Sequence, residues 1–316
     1  MSPNSWICLH PSNATQTTVS LDNRGLAYGD GFFTTMGVID GQILWLDYHQ
    51  QRLVSHATAL QLQLDSQLLL AMLKIHAKQL QQGMLKLIIT RAEQEVRGYG
   101  YTPNTGGGSA CEIWLKSSPM AITTARSLPL ADGQFIPLQP AASAICLSSQ
   151  IACLPPTLAG LKSLNRLDNV LASGELQAIK AKTLAGTIKP SIAEGLLRDM
   201  SGQWVEGTMS NVFYQLVEAP VAKSSNRPHS QNNSSNYLTQ GQWYTPSMAQ
   251  SGVAGVMRQV IIDTLSTSNN PVIIRSLQDE DLPHLSQLFF CNALRGIMPM
   301  TSLRLFSGEV VSFEAS

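Results

Sequence analysis

The sequence predicts an α/β (α+β) protein of two domains. At 316 residues it is long enough for about two domains of roughly 100–200 residues each. Its hydrophobic fraction of 44% is ordinary for a globular chain, so a sizeable core can form. Segments with strand-like and with helix-like apolar spacing occur in both halves.

Taken in order, the first clear signal is Gly37-Val-Ile-Asp-Gly41, which reads as a strand end, a turn and the start of the next strand. Asp40-Gly41 supplies the hairpin turn, and Ile43-Leu44-Trp45-Leu46 follows it. Asp47 is a candidate N-cap for a helix running to about Leu60, with Leu53, Ala57 and Leu60 at helical spacing. A second helix covers about 66–82 and is expected to stop at Gly83. Residues 84–90 and 112–116 read as strands. Between them lie Arg97-Gly-Tyr-Gly-Tyr101 and Gly106-Gly-Gly108, read together as a flexible loop. The stretch 117–138 reads as the connection to a second domain.

Within 161–179 a helix is expected, with Leu164, Leu167, Val170 and Leu171 on one face. Residues 212–216 form an apolar strand after a polar turn. The run SSNRPHSQNNSSN at 224–236 is too poor in hydrophobic residues to order itself and reads as a disordered surface insertion. Residues 255–264 read as a helix, and 287–292, nearly all apolar before Cys291, as a buried strand. There are no internal repeats.

Several classes are disfavoured at once. The formal net charge is zero and charged residues make up 13% of the chain, so nothing electrostatic points to nucleic acid or an anionic membrane. The five cysteines, Cys8, Cys111, Cys146, Cys153 and Cys291, are scattered and include no C-x-x-C pair. That argues against a disulfide framework or a zinc site and suits a reducing, cytoplasmic setting. The N-terminus lacks the basic-then-apolar pattern of a signal peptide, and the longest apolar run, near 68–73, is too short to span a bilayer.

Four separated segments carry chemistry. Lys162, in Gly160-Leu-Lys-Ser-Leu-Asn165, lies in apolar surroundings before a helix, where an amine can act as nucleophile or base. Glu206 opens Glu-Gly-Thr-Met-Ser-Asn211, a carboxylate followed by a polar turn that can meet a ring or a phosphate. Gly252-Val-Ala-Gly-Val-Met-Arg258 leads into an apolar helix whose free N–H groups can bind an anion, although no Lys-Ser ending makes it a nucleotide loop. Arg52 shares a half-apolar helical stripe with His49, Leu53 and His56, and its fork suits a phosphate. Taken singly, each has an ordinary reading: a surface lysine, a strand connection, a helix-start glycine, an exposed arginine paired with a carboxylate. His49 and His56 are assigned no role.

Taken in order along nearly the whole chain, these segments resemble the fold-type-IV pyridoxal-phosphate enzymes. The resemblance is carried by Arg24-Gly-Leu-Ala-Tyr-Gly-Asp-Gly-Phe-Phe-Thr-Thr35, His49-Gln-Gln-Arg-Leu53, Arg97-Gly-Tyr99, Gly160-Leu-Lys-Ser-Leu-Asn-Arg-Leu167, Glu206-Gly-Thr-Met-Ser-Asn-Val-Phe213, Gly252-Val-Ala-Gly-Val-Met-Arg258 and Cys291-Asn-Ala-Leu294. Within the group, Phe-Thr-Thr, Lys-Ser-Leu-Asn-Arg-Leu and Asn-Ala-Leu are most similar to the aminodeoxychorismate lyases. These make p-aminobenzoate and pyruvate in folate biosynthesis. The alternative reading is a D-amino-acid or branched-chain amino-acid transaminase of the same fold.

The resemblance implies a smaller domain at 1–118, a larger one at 119–316 carrying Lys162, pyridoxal 5′-phosphate in the cleft between them, and a homodimer. It implies that Lys162 forms the Schiff base, Glu206 meets the pyridine nitrogen, and Arg52 binds phosphate. Val256 and Met257 would meet the phosphate through backbone N–H, Asn292 and Ala293 would make a second phosphate contact, and Val253 would pack on the ring. Thr208, Met209, Ser210 and Asn211 form the turn beside the cofactor, with Met209 where relatives often carry a small polar residue. Thr34 or Thr35, with Thr35 the preferred choice, would line the active site and assist proton transfer. Tyr28, Arg97 and Tyr99 are expected at the substrate, where an arginine grips carboxylates. No metal is expected.

Overall fold

The computed structural model describes residues 6–9, 18–103, 110–122, 126–130, 135–184, 192–217, 237–239 and 241–313. The expected insertion at 224–236 and the glycine run at 106–108 lie outside them. The chain divides into two compact units: Met1–Thr123 with Leu154–Leu167, and Thr124–Cys153 with Asp168–Ser316.

In the first unit, β1 (Trp6–Cys8), β2 (Gly31–Ile39), β3 (Gln42–Ile43), β4 (Gly83–Arg91) and β5 (Cys111–Pro119) form an antiparallel sheet in the order β1-β5-β4-β2-β3. The hairpin between β2 and β3 turns at Asp40 and Gly41, whose φ of 50° and 70° fit the left-handed twist that an Asp-Gly pair tolerates. Helices α1 (Arg24–Tyr28), α2 (Leu46–Ala59) and α3 (Ser66–Leu80) complete the unit. Phe32, Met36, Val38, Leu85, Leu87 and Ile89 alternate along β2 and β4 and form one core with Leu53 and Ala57 of α2 and Leu69, Leu70, Leu73 and Ala77 of α3.

Two helix ends differ from expectation. Asp47 lies in the first turn of α2, and the cap position is Trp45, held at φ 58° without a side-chain cap bond. Helix α3 stops two residues before the expected 82, and its left-handed C-cap is Gln81 (φ 61°), so Gly83 opens β4 instead. Both reversals are sharp because strands follow or precede at once.

The expected placement of Lys162 in the C-terminal domain is corrected. Residues 154–167 belong to the first unit because their backbone is bonded to β2: Phe33 N–H donates to Lys162 O (3.0 Å), Leu164 N–H donates to Gly31 O (3.0 Å), and Phe32 pairs with Ser163.

In the second unit the sheet is built from β6 (Arg126–Pro129), β7 (Phe135–Leu138), β8 (Ala142–Ile151), β9 (Ile192–Asp199), β10 (Trp204–Gly207), β11 (Asn211–Leu216), β12 (Tyr244–Thr245), β13 (Ile273–Ile274), β14 (Leu285–Asn292), β15 (Gly296–Arg304) and β16 (Val310–Ser312). The stretch expected as a plain connection therefore ends in β6 and β7. Pairings β8-β9, β9-β10, β10-β11, β11-β14, β14-β15 and β15-β8 return to their starting strand, so these six close a circuit. Closure removes free edges from those strands.

Residues Cys146, Leu196, Val212, Tyr214, Leu288, Phe290 and Met298 form one core of this unit. Ile145, Leu147, Leu197 and Val205 form another with Ala172 and Leu176 of α4 (Leu167–Leu184). The expected apolar face of α4 is also corrected. Leu167, Val170 and Leu171 are 78%, 61% and 70% exposed, and the helix packs through Ala172 and Leu176. Helix α5 (Val256–Leu265) starts within one residue of the expected 255–264.

Candidate active site

Lys162 in the first unit is held by its backbone on two sides. Its carbonyl accepts from Phe33 N–H, and its own N–H donates to His56 Nε2 (2.9 Å). The side chain places Nζ 4.6 Å from the centre of the Phe33 ring. Strand alternation puts Phe33 and Thr35 on the half-buried face of β2, while Thr34 is fully buried and meets His49 Nδ1 at 3.0 Å. Of the two threonines, Thr35 thus shares the face of Phe33, where Nζ lies. Its cross-strand partner Lys86 brings a second cation to that face, 5.5 Å from the same ring. Lys86 was not singled out from the sequence, because one lysine in an alternating strand reads as its solvent side.

Arg52 is buried at 7% exposure, and burial lowers its guanidinium to about 10. On the same helix, His49 and His56 are both pushed down to about 3, in each case by burial first and then by Arg52; Lys162 and Arg166 add to the effect at His56. Both rings are therefore neutral at ordinary pH. The unfolded chain protonates them below about pH 6.5, whereas the folded chain does so only near pH 3. Stability should fall as pH drops through that window, by up to about 1.4 kcal/mol per pH unit for each ring. Thermal midpoints between pH 7 and 5 should show this fall, and a shallower one in His49→Gln.

Substrate candidates sit on the other end of this unit's motif. Asp30 Oδ2 holds Nε of both Arg24 and Arg91 at 2.9 Å. Arg24 reaches on to Tyr99 O (3.2 Å) and lies over the Tyr28 ring (5.1 Å). Tyr28 and Tyr99 meet edge-on at 5.3 Å. Arg97 is exposed beside them in sequence. The αL turn at Gly29 (φ 65°) is required here, since an added Cβ would lie 2.0 Å from Asn165 Oδ1.

In the second unit, Glu206 is 3% exposed. Its Oε2 accepts from Val253 N–H (2.9 Å) and its Oε1 from Asn169 Nδ2 (3.3 Å). Asn211 Nδ2 donates to Val253 O (2.8 Å), so both backbone polar groups of Val253 are tied to site residues. The segment then enters α5 at Gly255, which gives the helix no side-chain cap. The first N–H groups of α5, those of Val256 and Met257, have no acceptor within the helix. Gly255 is needed for the close approach: a Cβ would lie 1.9 Å from Asn211 Oδ1. Gly255→Ala should cost about 1–3 kcal/mol by displacing that side chain, measurable as a lower thermal midpoint.

Thr208 and Ser210 hydroxyls are already committed. Thr208 Oγ1 donates to Glu194 Oε1 (2.6 Å) and Ser210 Oγ to Glu194 Oε2 (2.7 Å), with Thr208 N–H and Gly195 N–H also on Oε1. Glu194, 3% exposed, is thus the floor of the turn. Met209 projects outward, 64% exposed. Asn292 Nδ2 donates to Met209 O (3.4 Å), and its Oδ1 accepts from Leu294 and Arg295 N–H, which shapes the turn around Ala293.

A phosphorylated pyridine aldehyde needs an amine, phosphate donors, a carboxylate for the ring nitrogen and an apolar contact. The first unit carries Lys162 on an aromatic face and buried Arg52, and the second carries the uncapped start of α5, buried Glu206 and half-buried Val253. Among the described residues no cluster of His, Cys, Asp or Glu could hold a metal, and no helix is long and apolar enough to cross a membrane.

Comparison with known proteins shows the family of the chain. An aminodeoxychorismate lyase of Vibrio harveyi is 24% identical over 289 residues, 91% of this chain and 88% of that protein. A putative branched-chain-amino-acid aminotransferase of Methanocaldococcus jannaschii is 26% identical over 298 residues, 93% of this chain and 84% of that one. The crystal structure of 4-amino-4-deoxychorismate lyase from Pseudomonas aeruginosa superposes with a TM-score of 0.70 at 28% identity, covering 92% of this chain and 90% of that one. The amino-transferase class IV pattern matches residues 31–303, and the chain belongs to this pyridoxal-phosphate-dependent family.

Proposed function

We propose that the protein is a carbon–oxygen lyase that converts 4-amino-4-deoxychorismate to p-aminobenzoate and pyruvate. The observation that carries the chemistry is Lys162, held by its backbone between His56 and Phe33 with its amine over an aromatic ring. The lyases of Vibrio harveyi and Pseudomonas aeruginosa, each similar over most of both chains, support the choice of reaction.

When bound, the cofactor accepts the electrons released as substrate loses a proton. Lys162 would hold it through its amine and, with that amine free, would serve as the base that takes the proton from the substrate ring carbon bearing the amino nitrogen. Glu206 would keep the pyridine nitrogen protonated. Arg52, the N–H groups of Val256 and Met257, and the turn at Asn292 and Ala293 would hold the phosphate. Val253 would pack on the ring, and the turn of Thr208, Met209, Ser210 and Asn211 would lie beside it. Thr35 can pass a proton on the Lys162 face. Tyr28, Arg97 and Tyr99, with Lys86, suit a substrate carrying two carboxylates. The carbon–oxygen bond breaks, the enolpyruvyl group leaves and is protonated to pyruvate, and the ring becomes aromatic. No atom is gained or lost beyond substrate, p-aminobenzoate and pyruvate.

A transaminase is the second reading, favoured by the similarity to the Methanocaldococcus jannaschii protein. Purified, cofactor-loaded protein given aminodeoxychorismate should release pyruvate, read by a coupled lactate dehydrogenase assay, together with p-aminobenzoate. No pyruvate, with amino transfer from a D- or branched-chain amino acid to 2-oxoglutarate, would replace the lyase by the transaminase.

A further inference from the structure

A histidine with no part in the proposed reaction meets the backbone of Lys162 from the helix that carries Arg52. His56 lies one helical turn after Arg52 on α2, is 4% exposed, and packs edge-on against Phe32 at 5.3 Å. Its Nε2 accepts the Lys162 N–H at 2.9 Å. A ring nitrogen that accepts carries no proton, so the proton of the neutral ring is on Nδ1. Nδ1 lies 3.2 Å from Ser55 Oγ, and Ser55 Oγ donates to Arg52 O at 3.1 Å. Every donor in this series meets an acceptor: Lys162 N–H to Nε2, Nδ1–H to Ser55 Oγ, Ser55 O–H to Arg52 O.

The direction of the series matters. A charged imidazole would turn Nε2 into a donor facing another donor. The charged groups around the ring oppose that charge, Arg52 on its own helix and Lys162 and Arg166 on the 154–167 segment, while Phe32 of β2 packs against it. Lys162 O is already taken by Phe33 N–H, so His56 holds the peptide on the other side of the same α-carbon.

We propose that His56 is a positioning residue that fixes the Lys162 backbone relative to Arg52, so that α2 holds the segment of the cofactor-linking amine in register with the phosphate-binding guanidinium. Ser55 sets the tautomer that makes this possible. The inference rests on Lys162 and Arg52 having the roles proposed above.

The test compares full-length wild type with His56→Ala, His56→Gln and Ser55→Ala. Two quantities are read: amide hydrogen exchange at Lys162, and the dissociation constant of pyridoxal phosphate by absorbance titration. In His56→Ala, exchange should quicken and cofactor binding should weaken, each by about tenfold, the loss expected when an N–H loses its acceptor. His56→Gln, whose amide oxygen can reach the Nε2 position, should restore both to within about twofold. Ser55→Ala should shift both in the same direction by less.

Folded His56→Ala with unchanged Lys162 exchange overturns the proposal. So does His56→Gln as defective as alanine, since that would mark simple loss of packing. If His56→Ala does not fold, His56→Gln and Ser55→Ala decide: wild-type exchange in glutamine with quickened exchange in Ser55→Ala supports the proposal, and any other pair of results overturns it. Exchange requires neither cofactor nor substrate. A protein that binds no pyridoxal phosphate would therefore fail the functional reading while exchange still decides the role of His56.

Discussion

Lys162→Ala is expected to lower turnover by about four orders of magnitude or more. The amine has two duties in the proposed reaction, linking the cofactor and removing the substrate proton, and a positioned base alone contributes about 10²–10⁴-fold. The substitution is also clean. The bonds that hold this segment on β2 and on His56 come from the backbone of residues 162–164, so alanine keeps them. The thermal midpoint should move little, and borohydride should no longer fix the cofactor covalently to the chain. More than about one per cent of wild-type pyruvate release from the alanine variant would mean that another group performs the proton transfer.

Glu206→Gln should follow with a fall in turnover of about 10²–10³-fold. The carboxylate is almost wholly shielded from water, which strengthens its effect on a protonated ring nitrogen. Glutamine keeps the volume and removes the charge. It also creates a local mismatch. Both carboxylate oxygens now accept, from Val253 N–H and from Asn169 Nδ2, and an amide would turn one of them into a donor facing a donor. A modest loss of stability, about 1–3 kcal/mol, should accompany the kinetic effect. Cofactor affinity should change less than turnover, because the proposed phosphate donors Arg52, Val256 and Met257 are untouched. Turnover within about threefold of wild type would remove Glu206 from the chemistry.

What could be read in the sequence was local. Asp40-Gly41 imposes its turn through backbone sterics alone, and the observed φ values follow. Leu53 and Ala57 on α2, and the apolar run ending at Cys291 in β14, are buried because their spacing leaves one face or both without polar cover. The ordered motifs around Lys162, Glu206 and Gly252 were recognisable for the same reason: each is a short stretch whose chemistry lies within a few residues.

The rest depended on contacts between residues far apart in sequence. Leu167, Val170 and Leu171 are as apolar as a core stripe, yet α4 turns Ala172 and Leu176 inward, since the strands it packs on decide which face is covered. Glu194 reads as the outward residue of a strand. It becomes the floor of the 207–211 turn only because β9 pairs with β10 and brings Thr208 and Ser210 over its oxygens. The segment 154–167 joins the first unit through bonds to Gly31 and Phe33, more than 100 positions away, which no local pattern announces. His56 is one more histidine on a helix until that pairing delivers the Lys162 N–H to it. Local spacing determined which residues could do chemistry here. Only the closure of distant strands decided which neighbours hold them in place, because hydrogen-bond partners are chosen by position in space and not by distance along the chain.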